Sequence, residues 1–222
     1  MACFVDIHTH GCSSHDHDIV EVVSLDVADI AFHFDKDILC SVGIHPWSIK
    51  SDTDKASLFG IIDEYLDKDC VLAVGEAGLD RCHIDTVVEQ KEVFVKEIEL
   101  SECHAKPLII HAVRSCYDII EMRKISGAVM PWIIHGFRGS LRMAEQLLQH
   151  DVGISLGIMS LHDDNKASML LKMIPMDKLF FETDVSTVPI KDVYERASLL
   201  LDMDVEFLRD NIYDNFIKCF CR

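Results

Sequence analysis

Eight short apolar, β-rich runs are spaced along the chain, with helical patterns in most of the intervals between them. The runs are Cys3–Ile7, Ile19–Leu25, Ile38–Gly43, Val71–Gly75, Leu108–Ile110, Trp132–Ile134, Val152–Leu156 and Leu179–Phe181. Most are too short for helices and lack strict polar alternation, which is the pattern of strands buried on both faces. Between them, Asp52–Leu66 gathers Leu58, Phe59, Ile61, Ile62, Tyr65 and Leu66 on one face. Ile84–Cys103 repeats Val87, Val88, Phe94, Val95 and Ile98 at helical spacing. Ser140–Leu148 opens on an N-cap serine, and Ala167–Met173, Lys191–Leu201 and Val205–Phe220 complete the set.

Strand–helix alternation argues for a parallel sheet. Eight strands make an α/β fold of the TIM-type (β/α) barrel the leading expectation, and 222 residues suit one such domain, 1–222. Two links are short. Only Gly11–Asp18 joins the first two runs, where a parallel crossover needs at least ~10–12 residues. Asp26–Asp37 has room for barely two helical turns. A shortened or irregular first quarter is therefore expected.

The polar residues stand at the ends of these runs. The first closes on Asp6-Ile7-His8-Thr9-His10, the third on Gly43-Ile44-His45-Pro46, and the fourth on Gly75-Glu76-Ala77-Gly78-Leu79-Asp80. His111 ends the fifth, His135 the sixth, and Glu182-Thr183-Asp184 the eighth. In a parallel barrel all strand C-termini open on the face that carries the active site. Taken singly, each residue has a bland reading. His8 and His10 make a chance pair, Glu76 a solvated loop residue, His111 and His135 core histidines, and Asp184 a helix cap. Their coincidence at strand ends is what those readings leave unexplained. Alternation also puts His8 and His10 on the same side of their strand, as joint ligation requires.

The blocks VDIHTH, VGIHPW, VGEAGLD, IIHAVRS, IIHGFRGS and FETD resemble, in order and from first strand to last, the TatD family of metal-dependent deoxyribonucleases in the amidohydrolase superfamily. The resemblance implies a metal-dependent hydrolase with two divalent metal ions, Zn, Mg or Mn. His8, His10, Glu76 and Asp184 would hold one, and Glu76, His111 and His135 the other, with Glu76 bridging. Asp184 and Glu76 are then the candidate catalytic residues, Asp184 for proton transfer from water. His45 at the rim, Arg114 and Arg138 are candidate substrate contacts, and Asp6 and Asp80 are placed to orient the ligands. His15 and His17 read as solvated loop residues. The chain departs from the family pattern in three places. Arg114 stands three places after His111, where the family usually has a base two places after. Trp47 stands where the family often has a further histidine, and Val185-Ser186 replaces Ser-Pro.

Composition limits the substrate. With 38 acids against 21 bases the net charge is −17, so a basic face that grips long nucleic acid is not expected. DNA ends, short oligonucleotides or a small phosphoester fit better, cleaved by a two-metal-activated water. The alternatives are a small-molecule amidohydrolase or phosphoesterase of the same superfamily, and a non-catalytic metal-holding scaffold. The first of these is disfavoured by Glu76 standing where a carboxylated lysine would be needed, and the second by the complete ligand set. Nine scattered cysteines and no apolar run of ~18 residues point to a reduced, cytoplasmic protein with no membrane span. No protein partner is implied, and a monomer is expected.

Overall fold

The computed structural model describes residues 2–11, 16–29 and 33–221. Its strands are β1 (Phe4–Thr9), β2 (Ile19–Asp26), β3 (Cys40–Gly43), β4 (Val71–Asp80), β5 (Leu108–Val113), β6 (Trp132–Ile134), β7 (Val152–Leu156) and β8 (Leu179–Phe181). They form one sheet in that order, with parallel registers such as Ala77 against Ile110 and Ile154 against Leu179. Thr9 at the end of β1 bridges in parallel to Asp184, just past β8. This order and bridge are those of the expected TIM-type barrel. The helices among the described residues are α1 (Lys55–Leu66), α2 (Val87–Cys103), α3 (Cys116–Ser126), α4 (Leu141–Gln149), α5 (Asp164–Met173), α6 (Ile190–Leu201) and α7 (Val205–Phe220).

Among the described residues no helix stands between β1 and β3, in line with a shortened first quarter. Residues 12–15 and 30–32, and His15 with them, lie outside the described residues. His17 is exposed. Two other expectations change. β4 runs five residues beyond Gly75, because Ala77, Gly78 and Leu79 stay in register with Ile110, His111 and Ala112 of β5. α3 was not anticipated from the pattern: it buries only Ile119, Ile120 and Met122, and ends at Gly127 in the left-handed conformation.

Contacts divide the chain into two compact units, Met1–Val23 with Ile134–Arg222, and Ser24–Ile133. In the first, Val5 and Ile7 of β1 are fully buried, as is Tyr194 of α6. The Tyr194 hydroxyl accepts from Val5 N at 3.1 Å and donates to Val5 O at 3.0 Å, and its ring meets Phe181 of β8 edge-on at 4.7 Å. Helix α7 buries Leu208, Ile212 and Phe216, while Asn215 donates to the Leu179 carbonyl at 3.1 Å.

In the second unit, α2 covers β4. Its inner face is partly polar, which blurs its amphipathic signature. Gln90, Glu97 and Ser101 are buried there, at separations of seven and four residues that put them on one helix face. Each answers a backbone group. Gln90 accepts from Asp80 N at 2.8 Å, Glu97 accepts from Ile44 N at 2.8 Å, and Ser101 donates to Lys106 O at 2.6 Å. Below this row Phe94 packs edge-on against Trp132 at 5.6 Å.

Candidate metal centre

Each unit carries its own group of ligand-type residues at strand ends. In the first, His8 is fully buried and His135 nearly so, with ring centroids 4.1 Å apart. His10 sits on the same side of β1, its ring 5.1 Å from His8 and almost perpendicular to it. Asp184 is drawn in by backbone bonds: its N donates to His8 O at 2.9 Å, and its O accepts from His10 N at 3.2 Å. Its φ of 56° lies in the left-handed region, which aspartate tolerates better than most non-glycine residues.

The spacing of these groups suits a cation. Asp184 Oδ1 lies 3.5 Å from His10 Nε2 and 3.8 Å from His8 Nε2, long for N–H···O bonds. Ligand atoms on a tetrahedral ion at about 2.1 Å would stand about 3.4 Å apart. The chemistry of the donor set, imidazole nitrogen with carboxylate oxygen and no sulfur, fits Zn, Mn or Mg.

Two further carboxylates lie behind these ligands. Asp6 Oδ1 accepts from Thr183 N at 3.0 Å and from His8 N at 3.3 Å, and Oδ2 accepts from the Thr183 hydroxyl at 2.5 Å. Asp6 thereby ties the end of β1 to the turn that presents Asp184. Burial pushes its pKa up to about 7, with the Thr183 bonds opposing. Glu182, also buried, accepts from Gly136 N at 2.5 Å. Burial works to raise its pKa, but the His135 imidazole, whose Nδ1 is 3.7 Å away, and His8 beyond it outweigh burial and hold the group below its ordinary value. The sequence pattern alone assigns Glu182 no role. Its place two residues before Asp184 at a strand end was the available signal.

In the second unit Glu76 follows Gly75, whose φ is 156° and where a Cβ would come within 2.7 Å of Ile109 O. Only glycine lets β4 and β5 approach this closely just before the carboxylate. Glu76 Oε1 meets His111 Nδ1 at 2.6 Å and His45 Nε2 at 3.1 Å. His45 Nδ1 accepts from Trp47 N at 3.1 Å, so in the neutral ring the proton sits on Nε2 and is donated to Glu76. The other nitrogen of His111 faces Asp80 Oδ2 at 3.3 Å. Asp80 is buried and accepts from Cys82 N at 2.7 Å and from the Trp47 indole at 2.7 Å. Burial works to raise the Asp80 pKa, but the bonds from Trp47, Cys82 and His111 together lower it.

The expected ligands thus fall into two sets, each brought together within its unit: His8, His10, His135 and Asp184 in one, Glu76 and His111 in the other, with His45 beside Glu76. In each unit a triad offers ligand atoms within 4.8 Å of one another, His8, His135 and Asp184 in the first and His45, Glu76 and His111 in the second. Arg138 is exposed and lines a cavity of about 330 Å³ with Gly136, Gly157, Ser160, Asp184 and Ser186. Arg114 is exposed at a left-handed turn after β5 and forms no ion pair among the described residues. Ser140 caps α4, accepting from Met143 N at 3.2 Å.

A family model described as TatD related DNase matches residues 7–221. The chain belongs to the TatD family. It is 27% identical over 199 residues to the uncharacterized metal-dependent hydrolase YcfH of Escherichia coli K12, covering 82% of this chain and 74% of the relative. It is also 27% identical to the uncharacterized metal-dependent hydrolase TatD of Mycobacterium tuberculosis, over 81% of this chain and 78% of the relative. Among solved structures, the TatD homologue YJJV of Escherichia coli K12 has the same fold, with a TM-score of 0.83 at 19% identity over 99% of this chain and 98% of the other. Dihydroorotase of Campylobacter jejuni shares it more distantly, at a TM-score of 0.56 and 12% identity, over 98% and 83% of the two chains. No helix of the described residues is long and apolar enough to cross a membrane.

Proposed function

We propose that this TatD family member is a divalent-metal-dependent phosphodiesterase that trims DNA ends or short oligonucleotides. The observation that carries the reading is the clustering of His, Asp and Glu side chains at strand ends, His8–His135–Asp184 in one unit and Glu76–His111 with His45 beside them in the other, in a chain matched to a DNase family over nearly its whole length. Following the family motifs, His8, His10, Glu76 and Asp184 would hold one ion, and Glu76, His111 and His135 the second. Divalent ions held there would supply Lewis acidity for a phosphoryl oxygen and acidify an attacking water.

The protein's own groups do the rest. Asp184 presents a half-exposed carboxylate beside His8 and His10 and accepts the proton of the attacking water. Glu76, oriented by the Nε2–H of His45, would offer its carboxylate to the ions. Arg138, lining the cavity that opens beside Asp184, neutralises phosphate oxygens, and Arg114 does the same from the turn after β5. A volume of about 330 Å³ is at the lower end for a small-ligand site and suits one nucleotide rather than a duplex. Among the described residues eight cysteines are free thiols, which suits the reducing cytoplasm.

The test is release of nucleotides from a single-stranded or 3′-recessed oligonucleotide by chelated protein, and by protein reloaded with Mg, Mn or Zn. Metal-restored cleavage that Glu76→Ala abolishes supports both the nuclease reading and the role of Glu76. Absence of cleavage with every metal, alongside metal-dependent hydrolysis of a small phosphoester or amide, would overturn the DNA reading in favour of a small-molecule hydrolase.

A further inference from the structure

Trp47 sits in the short 3-10 turn Pro46–Ser48 that follows His45. It is 59% exposed, yet its indole is pinned. Nε1 donates to Asp80 Oδ2 at 2.7 Å, and the ring lies 5.0 Å from His45 and 5.6 Å from His83. A large aromatic ring held still while most of it faces water returns little to folding, since the apolar gain comes from burial. Its orientation is set by function-bearing neighbours. Asp80, the anchor, is buried and also faces His111 Nε2 at 3.3 Å. The indole is therefore fixed relative to the Glu76–His111 pair, 6.0 Å from the His111 ring.

The local charges show what this surface would meet. Arg81, next to Asp80 in the chain, binds Asp118 through Nε at 2.6 Å, and Lys91 of α2 binds the same carboxylate at 2.7 Å. Both cations are committed. In a chain of net charge −17, phosphate contacts alone are a poor source of affinity for a nucleic acid. A flat π face supplies a different kind of affinity, indifferent to charge and tolerant of sequence. Because the Asp80 bond already sets the direction of the ring, little ordering entropy is lost when a base lands on it.

We infer that Trp47 is a stacking platform for the nucleobase beside the scissile phosphate, so that the substrate is a single-stranded nucleic acid end read through its base and not through its phosphates alone. The inference rests on the nuclease reading. Trp47 acts as a specificity residue, and Asp80 couples its position to His111.

The measurement uses the metal-loaded full chain and two oligomers with hydrolysis-resistant phosphorothioate linkages, an oligothymidylate and an abasic oligomer of the same length. Trp132 is only 1% exposed, so quenching of intrinsic fluorescence by an added base reports on Trp47. Saturable quenching by the oligothymidylate and none by the abasic oligomer is expected. By anisotropy of labelled oligomers, Trp47→Ala should weaken oligothymidylate binding roughly 5- to 150-fold and leave the abasic oligomer unaffected, while Trp47→Phe recovers much of the loss. Equal binding of both oligomers by the natural protein, or equal loss of both on Trp47→Ala with none recovered by Trp47→Phe, overturns the platform. Those results leave Glu76-dependent cleavage untouched. Failure of cleavage with every metal overturns the nuclease reading instead, so the two are separable.

Discussion

Glu97→Gln should make the protein less stable or equal at acid pH and more stable at alkaline pH, with the two stability curves crossing. Glu97 is fully buried in α2. Its Oε1 accepts from Ile44 N at 2.8 Å, and its Oε2 has no hydrogen-bond partner among the described residues. One N–H bond does not compensate the loss of water around a carboxylate. Burial therefore pushes the pKa well above its ordinary 4.5, and the nearby charge of Asp26 raises it further, against the opposing Ile44 bond. The folded state keeps a proton that the unfolded chain has released. The stability from this group is then complete below the unfolded pKa and is lost as pH rises towards the folded one. Over that window the loss is about 1.4 kcal/mol per pH unit, the slope for one proton of difference between the two states. Glutamine keeps the acceptor for Ile44 and cannot ionise, so it removes that slope. Its extra amide donor costs up to about 1 kcal/mol, which shows at the acid end. Urea denaturation of both proteins between pH 5 and 8 measures the difference directly, since other titrating groups cancel in the subtraction. Parallel curves would refute the argument, because they would mean that Glu97 exchanges no proton on unfolding. Glu97→Ala serves as the contrast: it removes the same slope but strands the Ile44 N–H, so its curve should lie about 1–3 kcal/mol below that of Glu97→Gln at every pH.

Two other substitutions test the packing on which the ligands stand. Tyr194→Phe removes a buried hydroxyl bonded to both Val5 N and Val5 O and should lower unfolding free energy by about 1–3 kcal/mol, read as a shift in urea midpoint with unchanged slope. Asp118 is held at about 2, below its ordinary 3.8, chiefly by Arg81 with Lys91 adding to it. Its stabilisation is present above pH 3.8 and lost as pH falls towards 2, so Asp118→Asn should flatten acid unfolding in that window. At neutral pH it should cost less than about 1 kcal/mol, and less in high salt, because both cations reach solvent.

The legible parts of the fold are those where burial alone decides conformation. β6, β7, β8 and α7 run as the apolar pattern predicts, because Trp132–Ile134, Val152–Leu156 and Leu179–Phe181 have no use except in a two-sided core. β4 was legible only to Gly75. Beyond it Glu76 and Gly78 break the apolar run, yet hydrogen bonding to β5 continues and the chain stays extended. α3 was hidden for the opposite reason, since three buried side chains on eleven residues leave a weak period. Of the site, His8, His10, Glu76, His111, His135 and Asp184 could be singled out because polar side chains at the ends of buried strands are costly without a purpose. The partnerships could not. Pairing of Trp47 with Asp80, and of His45 Nε2 with Glu76, depends on how the turn after β3 bends. Gln90 and Glu97 reach backbone groups that no pattern of side chains reveals.

The buried acids give the acidity of the chain a local meaning. Two of the candidate ligand imidazoles have a further carboxylate nearby, Glu182 near His135 and Asp80 beside His111, while Asp6 braces the backbone of His8. Glu182 and Asp80 are shifted down and stay ionised despite burial, while Asp6, like Glu97, is shifted up. Ionised groups in low dielectric are tolerated when hydrogen-bond donors satisfy them, and here Gly136 N serves Glu182 while Cys82 N and the Trp47 indole serve Asp80. A carboxylate on the far nitrogen raises the basicity of the near one and fixes its direction, which strengthens a ligand towards a cation. Negative charge thus works against the polyanion at long range and in favour of the divalent ion at short range. On the reading proposed above, these opposed effects select short substrates, whose few phosphates meet little repulsion.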